Sequence, residues 1–174
     1  MARMPYTIPP DPPMGLDVRW LRFDAFTPDE LYAVLALRQR VFVIEQASLF
    51  LDVDGRDPQA DHLLLRRVGE PAILGYLRVF GPALGCDTAS LGRVVVAETA
   101  RGRGLGAVLV AEALRFLDRH HARADVAISA QAHLQRFYAG FGFVTVGEPY
   151  DDAGIPHVDM RRQRSVSGSA PPQG

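Results

Sequence analysis

The sequence predicts a mixed α/β domain, and three observations carry that reading. Thr27-Pro28-Asp29-Glu30, a helix-start pattern, precedes apolar residues at helical spacing. Two apolar runs, 62–68 and 73–80, flank Gly69-Glu70-Pro71 as the arms of a hairpin. A valine-rich run, a glycine-rich loop, a long amphipathic segment and another apolar run then follow, a unit long enough to connect parallel strands.

Along the chain, strands and helices alternate. Val18 and Trp20 mark a short strand that extends to Phe23. Thr27 is the N-cap of the first helix, Pro28 its first residue, and Glu30 closes a capping box. Leu31, Val34, Leu35, Arg38, Val41 and Phe42 continue that helix at helical spacing. Residues 52–58 (Asp-Val-Asp-Gly-Arg-Asp-Pro) form a turn-rich loop whose acids lack the spacing of a calcium loop. If it borders a binding pocket, those acids favour a cationic substrate. After the hairpin come a strand over 89–97, a helix over 104–120, a buried strand over 125–129 and a short helix over 131–140. Strands at 143–146 and 157–160 close the pattern. Residues 1–15, with five prolines, and 164–174 lack apolar periodicity; a flexible arm and tail are expected around one domain, 16–163.

Composition narrows the function. A chain of 174 residues can bury one full core. Its formal net charge of −1 argues against nucleic acid or an anionic membrane as the main partner. All 19 basic residues are arginine, so neither a lysine Schiff base nor a Gly-Lys-Ser/Thr phosphate loop can form. Cys86 is the single cysteine, which excludes an intramolecular disulfide and a cysteine-rich zinc site; His120-His121 is too little for a metal, and none is expected. Neither a leader-like pattern nor an apolar run of membrane-spanning length occurs, so the cytoplasm is the expected compartment.

The most informative segment is Arg101-Gly102-Arg103-Gly104-Leu105-Gly106, between the strand holding Val94-Val95-Val96 and a helix. Glycines let backbone approach an anion, and the first helical turn directs unpaired N–H groups and the positive dipole end toward it. Arg101 and Arg103 can add charge-assisted bonds to a pyrophosphate. Without an anion, three glycines at a helix start would only cost stability. A nucleoside triphosphate loop is excluded, because Ala107-Val108 replace its Lys-Ser/Thr. A dinucleotide loop fits poorly, because four residues separate strand from glycine and Asp125 precedes the next strand instead of ending it. Coenzyme A remains.

Arg-x-x-Gly-x-Gly at 101–106, after a valine-rich strand, resembles the signature of the GNAT acetyltransferase superfamily. Phe137-Tyr138-Ala139-Gly140-Phe141-Gly142-Phe143 is similar to the segment of that superfamily whose tyrosine faces the coenzyme sulfur. Residues 37–46 (Leu-Arg-Gln-Arg-Val-Phe-Val-Ile-Glu-Gln) and Gly154-Ile155-Pro156-His157 resemble its ElaA-like branch, and the likeness spans roughly 18–162. The resemblance implies a GNAT-type acyl-CoA N-acyltransferase fold: a mostly antiparallel twisted sheet, two splayed parallel strands and flanking helices. It implies acetyl-CoA as co-substrate, no metal, and a small-molecule or peptide amine as acceptor, attacked directly in a ternary complex. Many relatives are dimers, which allows a homodimer here.

The same resemblance assigns residues. Val94, Val95 and Val96 would pair with pantetheine, opposite Val126–Ser129; Arg101 to Gly106 would hold the pyrophosphate, and His133 would assist. Tyr138 would act as acid for the departing thiolate, or else pack as an aromatic beside Phe137, Phe141 and Phe143. For the base, Glu45, Glu98, His62, Glu148, His157 and a water chain all stay open. Glu45 is favoured because partial burial after an apolar run would raise its pKa toward neutrality. Two other readings remain: a non-catalytic acyl-CoA sensor of the same fold, and an acyl-homoserine-lactone synthase. The second draws on the 37–45 segment but is opposed by the complete glycine signature and the shorter chain.

Overall fold

The computed structural model describes residues 14–84 and 86–163. The tail at 164–174 and all of the arm except Met14 and Gly15 lie outside the described residues. Seven strands among them form one sheet: β1 Leu16–Arg22, β2 Asp61–Arg67, β3 Ile73–Phe80, β4 Thr88–Val96, β5 Asp125–Gln131, β6 Val144–Asp152 and β7 Ile155–Arg162. Their spatial order is β1-β2-β3-β4-β5-β7-β6, and every neighbouring pair is antiparallel except β4–β5. This is the predicted mixed α/β architecture.

Burial explains the layering. Side chains alternate across a strand, so Leu63 and Leu65 of β2 face one way and Leu64 the other, and all three are fully buried. Leu63 and Leu65 pack with Leu109, Val110 and Leu114 of helix α2 (Leu105–His120). Leu64 packs with Tyr76, Val95 and Val34 of helix α1 (Pro28–Arg38). Helices therefore cover both faces. None among the described residues is long and apolar enough to cross a membrane.

Local sequence sets the element ends. The capping box forms as expected: Thr27 Oγ1 accepts from the Glu30 N–H at 3.2 Å, and Glu30 Oε2 accepts from the Thr27 N–H at 3.1 Å. The first helix, expected to run regularly through Phe42, instead widens after Arg38 into a π-helical turn, Gln39–Glu45. The short helix after β5 also differs, with a 3-10 turn at Ala132–Leu134 before α3, Gln135–Ala139. Strands β6 and β7 run further than the apolar pattern suggested. Ala153 (φ +52°) and Gly154 (φ +85°) form a two-residue hairpin turn that keeps polar residues up to Asp152 paired.

The sheet's decisive irregularity lies in β4. Only Thr88, Ala89 and Ser90 pair with β5, opposite Asp125, Val126 and Ala127; beyond them the strands part. On its other edge β4 is bulged, because Tyr76 and Arg78 of β3 pair with Val95 and Gly92. Within the bulge Arg93 has φ +55°, a left-handed conformation that non-glycine residues seldom adopt. The bulge bends β4 where it leaves β5. The splayed residues of β5 are thus 128–131, and Val126, expected among them, is paired with Ala89.

Glu30 ties the first helix to the sheet by accepting from Arg66 at 2.6 Å. Burial raises its pKa, but hydrogen bonds from Arg66 and Thr27 outweigh this and hold it at about 2. A depressed carboxyl pKa stabilises above the unfolded value of 4.5 and is lost as pH falls toward 2. Glu30→Gln should cost about 1–2 kcal/mol at neutral pH. In urea unfolding, the gap to wild type should shrink as the buffer is acidified below about pH 4.

Candidate active site

Where β4 and β5 part, the sheet opens into a cavity of about 510 Å³. Its walls are Leu91–Val96 on one side and Ile128–Gln131 on the other. The rest is closed by the end of α1's π-helical turn, the loop after it, the β6–β7 hairpin, and the segment carrying α3. Two bonds hold these covers together. Ser48 Oγ donates to the Ala153 carbonyl at 3.0 Å, and Gln131 Nε2 donates to Gln46 Oε1 at 3.0 Å.

The glycine loop sits at one end. Gly102 and Gly104 both have φ +75°, and Gly104 is the N-cap of α2 without any side-chain cap. A side chain at either position would be strained in this conformation, although the space around each is open. Among the described residues the N–H groups of Gly102 to Gly106 make no backbone hydrogen bond. Leu105 is buried in the core and anchors the loop, so it can meet a ligand only through its backbone. Arg101 and Gly106 line the cavity; Gly102, Arg103 and Gly104 are exposed outside it. Val94 and Val96 are half-buried on the cavity wall, whereas Val95 buries its side chain against α1.

Tyr138 lines the cavity at 6 % exposure, and its hydroxyl has no hydrogen-bond partner among the described residues. Burial pushes its pKa up to about 12. It also packs edge-on to Phe137 and Phe143, so its packing and cavity-lining roles coexist. His133 is exposed at the cavity wall.

Glu45 has the opposite character to the one expected. It lies at the end of the π-helical turn, 42 % exposed, in a bidentate pair with Arg101 at 2.7 and 2.8 Å. These hydrogen bonds lower its pKa, because the guanidinium stabilises the anion more than the slight burial opposes it. A carboxylate held in this way is a poor base. Arg101 is correspondingly occupied, and also donates to the Val96 carbonyl at 3.3 Å.

The two candidate histidines differ. His62 is buried, with Nε2 bonded to the Asp57 carbonyl at 2.9 Å and Nδ1 to the Tyr76 hydroxyl at 2.8 Å; desolvation lowers its pKa. It is structural. His157 is half-buried on the cavity wall beside Ile155.

Comparison with known proteins decides the family. The Acetyltransferase (GNAT) domain family matches residues 56–164. An acyl-CoA N-acyltransferase structure from Pseudomonas aeruginosa is 42% identical, with TM-score 0.79, over 84% of this chain and 99% of that one. The structure of Escherichia coli ElaA is 34% identical, also with TM-score 0.79, over 85% and 99%. A UPF0039 protein of Synechocystis is 42% identical over 84% of this chain and 95% of its own. The chain belongs to the GNAT acetyltransferase family. ElaA is among its homologues, and its sheet is the GNAT acyl-CoA N-acyltransferase fold.

One part of this GNAT site was not anticipated from sequence. The acids of the 52–58 loop do not present charge to an acceptor; they turn inward onto arginines. Arg38, 1 % exposed, donates to Asp52 and Asp57, each at 2.9 Å. Arg78 donates to Asp57 at 2.7 Å and pairs bidentately with Asp54. Arg93 Nε lies 2.7 Å from Asp52, and its guanidinium stacks 5.3 Å from the Phe50 ring centre. Burial raises the Asp57 pKa, but the hydrogen bonds from Arg78 and Arg38 lower it further. Three arginines and three aspartates are thus mutually neutralised, with Arg93 on the cavity wall. Gly92 inside a strand was the one sequence signal for the bulge that places Arg93 there.

Removing one member leaves the cluster with one uncompensated charge; without Arg78, Asp57 and Asp54 would keep only Arg38 and Arg93 respectively. Arg78→Met should lower unfolding stability by about 3–5 kcal/mol, read from the midpoint of a urea transition.

Proposed function

We propose that this chain is an acetyl-CoA-dependent N-acetyltransferase that acts on a primary amine of a small molecule or peptide, by direct attack in a ternary complex. The observation that carries this reading is the adjacency of the splayed β4–β5 cavity to an uncapped, glycine-lined helix start. A thioester chain needs a narrow slot with free backbone groups on its wall, and a pyrophosphate needs unpaired N–H groups with positive charge nearby. The unpaired edges at 91–96 and 128–131 supply the first, and Gly102 to Gly106 with Arg101 and Arg103 supply the second. The likeness to the Pseudomonas aeruginosa acyl-CoA N-acyltransferase supports an acyl-CoA donor. On this reading the enzyme works in the cytoplasm.

Acetyl-CoA would supply an activated carbonyl; the chain would orient it and manage protons. N–H groups of the splayed part of β4 would polarise the carbonyl. Tyr138 would stabilise the leaving sulfur. Moving a proton from a phenol at about 12 to a thiolate near 8.5 is uphill by about 5 kcal/mol, so Tyr138 acts as a fixed hydrogen-bond donor and not as a full acid. Exposed His133 would meet the coenzyme at the rim.

Thiol release from acetyl-CoA with a panel of propylamine, spermidine, lysine and short peptides should be amine-dependent in wild type. Tyr138→Phe, which keeps the ring packing, should reduce kcat about tenfold to a hundredfold with little change in KM. Glu45→Gln should keep activity within about threefold, since the lost group is an ion-pair partner. Acetyl-CoA binding without thiol release on any amine would favour the sensor reading.

A further inference from the structure

Five side chains were candidate proton acceptors for the amine, and their surroundings separate them. Glu98 and Glu148 are exposed and do not line the cavity. His62 has both ring nitrogens bonded in the core. Glu45 is held by Arg101. His157 remains.

Its ring is set in one protonation pattern. Nδ1 lies 2.8 Å from the carbonyl oxygen of Ile155. A carbonyl can only accept, so Nδ1 carries the proton, and the neutral ring has its lone pair on Nε2. Nε2 has no partner among the described residues. The ring is also braced from the neighbouring strand. Tyr150 is the register partner of His157 across β6–β7, and their rings lie 6.2 Å apart at 27°. Tyr150 in turn donates to Asp159 Oδ1 at 2.9 Å, which leaves the Ser129 hydroxyl to donate to Tyr150. Ser129 belongs to the splayed part of β5, so the chain of bonds links the histidine's support to the cavity wall.

We infer that His157 Nε2 is the general base that takes the proton from the acceptor amine; this rests on the acetyltransferase reading above. In the step, the amine nitrogen forms the new N–C bond and the C–S bond breaks, its electron pair leaving on sulfur beside Tyr138. Before attack Nε2 takes the proton that makes the alkylamine an ammonium, and the imidazolium returns it to solvent; the further proton that nitrogen sheds on attack passes to the departing thiolate, giving the free thiol. Asp152 also borders the cavity but is exposed, and a solvated carboxylate takes a proton from an ammonium far less readily than imidazole does. The Ile155 carbonyl and Tyr150 are positioning groups.

The test compares His157→Gln with wild type on two acceptors: the alkylamine of the panel that turns over best, and methoxyamine, which is already neutral at pH 7. A base is needed only for the first. The variant should lose about a hundredfold in kcat/KM with the alkylamine and less than about threefold with methoxyamine. An unchanged KM for acetyl-CoA, together with the retained methoxyamine activity, would show that the variant is folded. Added imidazole should restore part of the alkylamine rate to His157→Ala. Equal losses on both amines, or no loss on either, would overturn the assignment while leaving the acetyltransferase reading intact. Wild type inactive on every amine would overturn that reading and the base with it.

Discussion

Between Ser90 and Val94 strand β4 changes direction, and the site is arranged around that change. The bulge puts Arg93 at φ +55°, a conformation that costs roughly 1–3 kcal/mol and persists only where the surroundings hold it. Asp52 and the Phe50 ring hold the arginine. With the bend in place, β4 and β5 share three register pairs and then separate, leaving unpaired backbone along two facing edges. A sheet interior with free edges is normally a defect. Here it forms the wall of a cavity.

The charges around that wall are nearly all committed. Arg38, Arg78 and Arg93 neutralise Asp52, Asp54 and Asp57, and Arg101 neutralises Glu45. The buried cluster braces the loop that faces the cavity and leaves little net charge for selecting an acceptor. The Arg101–Glu45 pair is different, because both partners are about 40 % exposed and line the cavity at the glycine-loop end. A pyrophosphate would compete with Glu45 for the same guanidinium.

Much of this was legible in sequence, for physical reasons. The capping box at Thr27–Glu30, the hairpin at 62–80 and the glycine loop at 101–106 are local signals, and each formed where its residues indicated. What stayed hidden depends on distant partners. Glu45 follows an apolar run, yet its pKa is set by Arg101, 56 residues away. The acids of the 52–58 loop read as surface charge because their arginines come from α1, β3 and β4. The β6–β7 hairpin was underestimated because Gly147, Glu148 and Pro149 interrupt the apolar alternation that the ladder tolerates on an exposed edge. His157 was legible as one of several candidate bases, but nothing in the sequence singled it out, since its tautomer is fixed by a carbonyl two residues earlier in the folded strand.

The central claim is that the glycine loop and the splayed strands together hold acetyl-CoA. Calorimetric titration of acetyl-CoA into the full chain tests it most directly, with Gly104→Val as the comparison, because a branched side chain is strained at φ +75° without reaching the core. The account predicts saturable one-to-one binding by wild type, and binding weaker by about tenfold or more in the variant. No binding by wild type, or equal affinity in the two proteins, would contradict it.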